Sequence, residues 1–334
     1  ILSGLVGSEM CIRDSVSGVS AGSVTITYIL STGCYATTVI NTNATGGITG
    51  STTICPGITT TLSASVSGGT WSGPASTVIS GPSATGVITG LASGTSVVTY
   101  TTPSGCVSNV TITVNALPSA ISGSSTVCVG SSTNFTSATG GGSWSSSDGS
   151  IASVDATSGV VTGVAAGSVT ITYTASTGCI RTASFVVNPA PAAIGGTTTV
   201  CVGGTTTLTD ATTGGVWSGL SPSTANIDPS TGVVTGVAAG SVTFTYTLST
   251  GCKTTATVTV ISGPGAISGP STVCAGSTVT YTNPTSGGVW SSNDISVATV
   301  GSTDGIVTGV GGGSTLIIYI APSGCYVTKT ISVN

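Results

Sequence analysis

The rarest residues of this chain recur at one fixed interval. Tryptophan occurs four times, and the copies are evenly spaced, at Trp71, Trp144, Trp217 and Trp290. Two sets of cysteines keep the same interval, and a tyrosine stands six positions before each cysteine of the second set. A strict period of this kind indicates one structural module copied in tandem. We therefore predict a chain of repeated 73-residue modules.

The cysteines occupy two positions in the repeat. The first position holds Cys55, Cys128, Cys201 and Cys274, and the second, at a constant distance further along, holds Cys106, Cys179, Cys252 and Cys325. No histidine and no close Cys-x2-Cys pair accompanies them, which disfavours zinc. Because so small a core benefits from reinforcement, we predict one disulfide within each module, Cys55–Cys106, Cys128–Cys179, Cys201–Cys252 and Cys274–Cys325. Disulfides indicate an oxidising compartment, so we expect an extracellular or cell-surface protein.

The scarcity of charge disfavours several classes of function. Charged residues make up 4% of the chain, histidine is missing, and the formal net charge is −4. Such a chain offers no basic surface for nucleic acid, and no apolar run approaches the ~18 residues that cross a bilayer. Without histidine it has no Ser-His-Asp or Cys-His arrangement and no imidazole metal ligand. We therefore expect no enzymatic activity, no cofactor and no metal site.

Within the repeat, the residue pattern is that of short strands. In Ser168–Thr174, the apolar residues Val169, Ile171 and Tyr173 alternate with serine and threonine, as in a half-buried strand. Asp155–Gly159, with the sequence DATSG, has the composition of a turn that reverses the chain. No segment shows helical periodicity. The pattern predicts an all-β fold of antiparallel sandwiches.

The stretch from Trp144 to Thr174, WSSSDGSIASVDATSGVVTGVAAGSVTITYT, resembles the group 2 bacterial immunoglobulin-like domain, a module of invasin- and intimin-type surface proteins. Residues 217–247 and 290–320 carry the same framework, and residues 71–101 keep it without the acidic residue before the turn. The resemblance covers nearly everything after residue 15. It implies tandem immunoglobulin-like sandwiches, whereas the cysteine pair is not required in that family.

The period divides the chain into six segments. The four complete modules are residues 44–116 (module 1), 117–189 (module 2), 190–262 (module 3) and 263–334 (module 4). Residues 16–43 match the C-terminal part of a further module, in which Cys34 holds the second cysteine position without an assigned partner. Short linkers that contain proline, such as Asn188–Pro191, predict stiff joints and a rod-like array.

The first segment, residues 1–15, breaks the pattern. Leu5–Ser15, LVGSEMCIRDS, resembles one translated reading frame of a sequencing-library adapter, and it holds the only methionine of the chain. We expect this segment to be non-native and the sequence to be a fragment whose secretion signal lies upstream. Cys11 lies in this segment, out of register with the repeat.

Two sets of polar and aromatic side chains have both a functional and a structural interpretation. Asp148 and Asp155 could contribute to a calcium site, but each lies among glycine and serine, which favours a role in turns. The four tryptophans could stack on sugars, but we expect them in the sandwich core, as in immunoglobulin domains.

An apolar row distinguishes module 4. Leu316, Ile318 and Ile320 occupy the outward strand positions that are threonine in module 3. Such a row predicts contact with another module or chain, and a shift of strand register is the alternative. We treat it as a candidate interface for self-association.

Together these patterns predict an extracellular bacterial repeat protein that forms a stiff stalk or filament and self-associates. Two alternatives stay open. The chain could be the stalk of a cell-surface adhesin whose binding tip lies outside this sequence, or the spacer of a large secreted enzyme. No ligand on a host or other surface is identified by the sequence.

Overall fold

The structure is a computed structural model, and it describes residues 15–74, 76–219 and 221–334. Most of the adapter-like segment, with Cys11, lies outside the described residues. Within them every regular element is a β-strand, which confirms the predicted all-β fold class. The part of the chain that is described holds no helix long and apolar enough to cross a membrane.

The strands are numbered in chain order. Ahead of module 1 lie β1 (Gly22–Ile29) and β2 (Tyr35–Thr42). Module 1 contains β3 (Ile48–Thr49), β4 (Thr53–Ile54), β5 (Thr59–Thr61), β6 (Ser63–Ala64), β7 (Thr70–Ser72), β8 (Ile79–Ser80), β9 (Val87–Gly90), β10 (Gly94–Thr101) and β11 (Val107–Val114). Module 2 contains β12 (Thr126–Cys128), β13 (Ser132–Asn134), β14 (Ser143–Ser146), β15 (Ala152–Val154), β16 (Val160–Gly163), β17 (Gly167–Thr174) and β18 (Ile180–Asn188).

The second half of the chain repeats this order. Module 3 contains β19 (Gly195–Gly196), β20 (Thr199–Cys201), β21 (Thr205–Thr209), β22 (Val216–Ser218), β23 (Ala225–Ile227), β24 (Val233–Gly236), β25 (Gly240–Thr247) and β26 (Lys253–Ile261). Module 4 contains β27 (Thr272–Val273), β28 (Thr278–Thr280), β29 (Val289–Ser292), β30 (Ala298–Val300), β31 (Ile306–Gly309), β32 (Gly313–Ile320) and β33 (Tyr326–Val333).

Modules 2, 3 and 4 each contain two sheets, and module 1 contains a four-stranded sheet, a three-stranded sheet and the separate pair β3-β6. In module 3 the sheets have the strand orders β20-β26-β25-β22 and β19-β21-β24-β23, and side chains from both sheets form one apolar core. Along β25, Val242, Phe244 and Tyr246 are buried while the residues between them are not. The equivalent residues of module 2, Val169 and Ile171 among them, are buried in the same alternation, as the sequence predicted. Burial of such side chains contributes about 25 cal/mol per Å² of apolar surface removed from water.

A parallel strand pair recurs in each module, whereas the long hairpins, such as β25 with β26, are antiparallel. β20 lies parallel to β26, with Val200 opposite Val260 and Cys201 opposite Ile261. The same parallel pair recurs as β4 with β11, β12 with β18, and β27 with β33. Because parallel strands end at the same edge of a sheet, the first cysteine of each module lies where the last strand of that module ends.

The chain forms two compact units. The first contains the described residues up to Ser125 together with Ser132–Thr162 and Ser168–Phe185, and the second contains Thr126–Ser131, Gly163–Gly167 and Val186–Asn334.

Candidate functional site: covalent joints between modules

Six of the predicted disulfide cysteines are bonded, and every bond joins two successive modules. The pairs are Cys55–Cys179, Cys128–Cys252 and Cys201–Cys325, with Cα–Cα distances of 5.6, 5.6 and 5.7 Å. Each pair is separated by 124 residues and links the first cysteine of one module to the second cysteine of the next. The chain therefore has one disulfide at each joint between complete modules.

The predicted pairing within modules is wrong, and the parallel first strand is the reason. In module 3, Cys201 lies beside Ile261 at the end of β26, whereas Cys252 immediately precedes Lys253 at the start of β26. A nine-residue strand separates the two cysteines by about 30 Å, whereas a disulfide requires Cα atoms within about 7 Å. The bonds Cys55–Cys106, Cys128–Cys179, Cys201–Cys252 and Cys274–Cys325 are therefore excluded.

Backbone hydrogen bonds hold the first cysteine of each joint. After Cys201, the N–H of Val202 donates to the carbonyl of Ile261 at 3.0 Å, and the N–H of Gly203 donates to Gly236 at 2.8 Å. These bonds tie the cysteine-bearing turn to the edge of the sandwich at which the chain leaves the module. The cysteine is thus presented towards the following module.

The second cysteine lies in the tight turn between the last two strands. In module 3 the N–H of Leu248 donates to the carbonyl of Cys252 at 2.8 Å, and that of Gly251 donates back to Leu248 at 2.9 Å. Gly251 has φ +86°, in the left-handed region that favours glycine. Cys252 is fully buried, as are Cys179 and Cys325 at the same position. The turn therefore places a buried sulfur at the edge where the chain enters modules 2, 3 and 4, whereas Cys106 of module 1 is only half-buried.

Two of the eight predicted cysteines remain thiols. Within the described residues Cys106, Cys274 and Cys34 form no disulfide. Cys274 has the same backbone setting as Cys201, since the N–H of Ala275 donates to Asn334 at 3.0 Å. The spacing of 124 residues seen in the three bonds would place the partners of Cys106 and Cys274 outside the sequence. Each free thiol is thus a cysteine that has no partner at a distance of 124 residues, in the required direction, within residues 1–334.

The joint between modules 1 and 2 also has polar contacts. Asn115 follows β11, and its N–H donates to the carbonyl of Ile54 at 2.8 Å. Its side-chain amide donates to the carbonyl of Thr177 at 3.5 Å, and the Sγ of Cys179 lies 3.8 Å from the Asn115 carbonyl oxygen. A bond at 3.5 Å is weak, so the disulfide is the principal link at this joint.

The tryptophans lie in the cores, as the sequence predicted. Trp144, Trp217 and Trp290 are buried, and Trp71 is half-buried. Each contacts the tyrosine opposite it on the neighbouring strand, with Trp217 and Tyr246 ring centroids 4.7 Å apart. These rings are therefore not free to stack on a sugar.

The tyrosine of this pair also fixes a loop. The Tyr246 hydroxyl donates to the carbonyl of Thr212 at 2.8 Å and accepts from the N–H of Gly215 at 2.8 Å. Because Tyr246→Phe leaves both backbone groups without this partner, we expect it to lower the free energy of unfolding by about 1–3 kcal/mol. Urea denaturation followed by tryptophan fluorescence measures the change. Tyr326→Phe, at an exposed tyrosine, is the matched control, and an equal loss in both variants would argue against the loop-fixing role.

The two candidate calcium ligands, Asp148 and Asp155, stabilise turns. The carboxylate of Asp155 accepts hydrogen bonds from the N–H of Ser158 at 2.7 Å, the Ser158 hydroxyl at 2.8 Å and the N–H of Thr157 at 3.1 Å. The carboxylate of Asp148 accepts from the N–H and hydroxyl of Ser150. Among the described residues no group of three or more His, Cys, Asp or Glu is placed to hold a metal ion.

Hydrogen bonding to the charged carboxylate has a consequence for pH dependence. The N–H of Ser158, followed by its hydroxyl, lowers the pKa of Asp155 below its ordinary value. A group whose pKa is lowered by folding contributes stability above its unfolded pKa and loses it as pH falls through the folded pKa. We therefore expect Asp155→Ala to be less stable than the unsubstituted protein at pH 7, with the difference beginning to shrink below about pH 4 and disappearing only below the lowered pKa of the folded state. Thermal unfolding at pH 7 and pH 2.5 measures it, and a difference that did not shrink between the two pH values would contradict the carboxylate's role.

The apolar row of module 4 lies on an outward face, as predicted. Leu316 is paired with Thr330, in the register that Thr243 and Thr257 have in module 3, so the alternative of a register shift is excluded. Leu316 is 38% exposed, and Ile318 and Ile320 are partly buried.

Comparison with known proteins places one module in a family. Residues 106–180 match the model of the bacterial Ig-like domain, group 2. No curated protein sequence matches the chain significantly.

Several solved structures resemble the chain weakly. The C-terminal 282-residue fragment of intimin, solved with the intimin-binding domain of the translocated intimin receptor, is 17% identical, with 43% of this chain and 64% of that fragment covered and a TM-score of 0.29. Domains 4 and 5 of the surface-layer protein SbsC are 19% identical, with 48% and 88% covered and a TM-score of 0.19. Cadherin domains 3–6 of protocadherin gamma B2 are 12% identical, with 86% and 99% covered and a TM-score of 0.19. TM-scores this low carry no argument about function.

The family match and the internal period lead to the same conclusion. The matched residues run from the second cysteine of module 1 to the residue after the second cysteine of module 2, so they span one full period. Residues 106–180 therefore carry a group 2 bacterial immunoglobulin-like domain, and the sequence framework of that domain recurs at the interval that separates the tryptophans.

Proposed function

We propose that this chain is a structural stalk on or outside a bacterial cell, built from sandwiches that are locked to one another by disulfides. The observation that carries the proposal is the disulfide at each joint between complete modules. A covalent joint restricts bending and separation of neighbouring modules, which is the property a stalk needs. The stalk of an adhesin and the spacer of a secreted enzyme are specific forms of the same function.

The chemistry of the joints also supports the proposed location. Disulfides form and persist in oxidising compartments such as the periplasm and the cell surface, and cytosolic thiols are kept reduced. Each of the three bonds spans a sequence separation of 124 residues, and such bonds need an oxidising setting to form during folding. The same cysteines therefore support both the stalk and its extracytoplasmic location.

Immunolabelling of intact cells that make the protein, combined with alkylation of thiols at lysis, tests the proposal. We expect labelling at the cell surface or in the medium, with Cys55, Cys128, Cys179, Cys201, Cys252 and Cys325 protected from alkylation until a reductant is added. Protein confined to the cytoplasm, with these cysteines alkylated before reduction, would refute it.

Lateral association into a filament is the second candidate function, and the apolar row of module 4 favours it. Leu316 shares its outward face with Tyr326 and Val289, which are 67% and 50% exposed and lie opposite Ile320 on the two neighbouring strands. We take a second copy of this chain as the partner. The residues around the row are uncharged, so two identical surfaces would not repel each other electrostatically.

Module 3 supplies the matched variant for this idea. Replacing Leu316, Ile318 and Ile320 by threonine recreates the surface that module 3 has at the same positions. We expect the unsubstituted protein to associate with rising concentration and the variant to remain monomeric, since the apolar contact is lost. Sedimentation equilibrium measures both. Equal association of the two proteins would eliminate this row as the interface.

A further inference from the structure

We infer that the interleaved disulfides make the array nearly inextensible, because they create a covalent path along which tension bypasses most of each module. This inference goes beyond the proposed stalk, since it concerns how the chain carries force rather than where it is displayed. It rests on the order in which the three bonds overlap along the sequence.

The first path uses two disulfides and one short backbone segment. Tension applied at Cys55 passes through the disulfide to Cys179, follows the backbone from Cys179 to Cys201, and crosses the second disulfide to Cys325. Residues 56–178 and 202–324 lie in closed loops beside this path. Unfolding of the sandwiches in those loops would release no length.

The greatest possible distance between Cys55 and Cys325 differs about tenfold between the oxidised and the reduced chain. Fully extended, the backbone from Cys179 to Cys201 spans about 75 Å. The two disulfides add the 5.6 and 5.7 Å between their Cα atoms, so Cys55 and Cys325 separate by at most about 90 Å. Without disulfides the same two cysteines are joined by backbone alone, which extends to about 950 Å. The disulfides therefore withhold roughly 850 Å of extension.

The bridging segment is itself largely strand. Residues 179–201 contain β18, which ends module 2, and β19 and β20, the first two strands of module 3. In its sheet β18 lies between two other strands, and β20 lies beside β26. Strand is close to the fully extended chain, with a rise of about 3.3 Å per residue, so the strands hold little slack.

A second path runs through the remaining cysteines. Cys128 and Cys252 are bonded, and the equally long segments 106–128 and 252–274 flank that bond on either side. Within residues 1–334 this path ends at the free thiols of Cys106 and Cys274, so it gives no shorter route between Cys55 and Cys325 than the first path.

The overlap predicts that the three bonds have unequal mechanical roles. Loss of Cys128–Cys252 leaves the route from Cys55 to Cys325 unchanged, because that bond is not part of it. Loss of Cys201–Cys325 reroutes tension from Cys179 back to Cys128, across to Cys252 and on to Cys325, which includes two long backbone segments. The limiting extension then rises by about 360 Å.

Single-molecule stretching between handles at the two chain ends tests the inference. We would compare the oxidised protein with the variants Cys128→Ala/Cys252→Ala and Cys201→Ala/Cys325→Ala. All three carry alanine in place of the remaining cysteines, to prevent thiol exchange: Cys11, Cys34, Cys106 and Cys274. Segments outside Cys55 and Cys325 add the same length to each. The limiting length depends on covalent connectivity, so it is measurable even if a variant unfolds.

We expect the oxidised protein and Cys128→Ala/Cys252→Ala to reach the same limiting length, Cys201→Ala/Cys325→Ala to exceed it by about 360 Å, and reductant to add about 850 Å to the oxidised protein. Stepwise gains of about 250 Å for each module in the oxidised protein, or equal lengthening in both variants, would overturn the inference. A cytoplasmic, reduced protein in cells would defeat the proposed function without altering these lengths, so the two failures are distinguishable.

Discussion

Replacing Cys201 and Cys325 together by alanine is expected to lower the stability of modules 3 and 4 by about 3–5 kcal/mol. The bond joins two cysteines that are 124 residues apart in the sequence. When it is removed, neither of the other two disulfides connects Cys201 to Cys325 through a shorter stretch of backbone. In the chain-entropy model, loss of this constraint on the unfolded chain costs about 5 kcal/mol, and measured losses of native disulfides are about 2–5 kcal/mol. Urea titration of the purified protein, followed by fluorescence of Trp217 and Trp290, reports the shift of the midpoint.

Cys274→Ala is the matched control for that variant. Cys274 occupies the first cysteine position, as Cys201 does, but it is exposed and forms no disulfide within the described residues. We expect its replacement to change the free energy of unfolding by less than about 0.5 kcal/mol. A loss as large as that of Cys201→Ala/Cys325→Ala, or no loss in the double variant, would contradict the assigned role of the joint.

Gly232→Ala is expected to cost about 3 kcal/mol or more, from left-handed strain of about 1–2 kcal/mol together with a steric clash. Gly232 ends the turn that begins at Asp228, has φ +72°, and a Cβ atom there would lie 2.4 Å from the carbonyl oxygen of Leu208 and 2.9 Å from the Nε1 of Trp217. Neither group can shift easily, because the Leu208 carbonyl belongs to strand β21 and the Trp217 ring is buried.

Gly251→Ala separates strain from clash. Gly251 also has a left-handed φ, of +86°, but no atom lies within 4 Å of the position its Cβ would take. We expect a loss of about 1–2 kcal/mol from backbone strain alone. Differential scanning calorimetry of both variants gives the comparison, and equal losses would show that close packing at Gly232 contributes nothing.

The sandwich fold could be predicted because its determinants are local in sequence. Alternation of apolar and hydroxyl side chains in Ser168–Thr174 predicts which residues face the core, and the structure buries Val169, Ile171 and Tyr173 as expected. The turn at Asp155 is likewise local, since its carboxylate bonds to groups two and three positions away. The exposure of Leu316 follows from the same period of two.

The covalent joints could not be predicted from cysteine spacing, because spacing does not give the direction in which strands pair. Cys201 ends a strand and Cys252 precedes another, and their separation in sequence fits a hairpin-like arrangement as well as a parallel one. Only the parallel pairing of β20 with β26 puts the two cysteines at opposite edges of module 3. A sequence signal did exist: the second cysteine is followed by a nine-residue strand, too long for both ends to lie near one disulfide.

Tryptic digestion of the denatured, unreduced protein tests the central claim most directly. After residue 13 the only cleavage sites follow Arg181, Lys253 and Lys329, so digestion gives three large fragments, 14–181, 182–253 and 254–329. Bonds between modules link the first fragment to the second through Cys128–Cys252 and the second to the third through Cys201–Cys325. We predict that all three fragments remain in one covalent species and separate only after reduction. Three separate fragments without reductant would show that no disulfide joins module 2 to module 3 or module 3 to module 4, and would contradict the covalent joints.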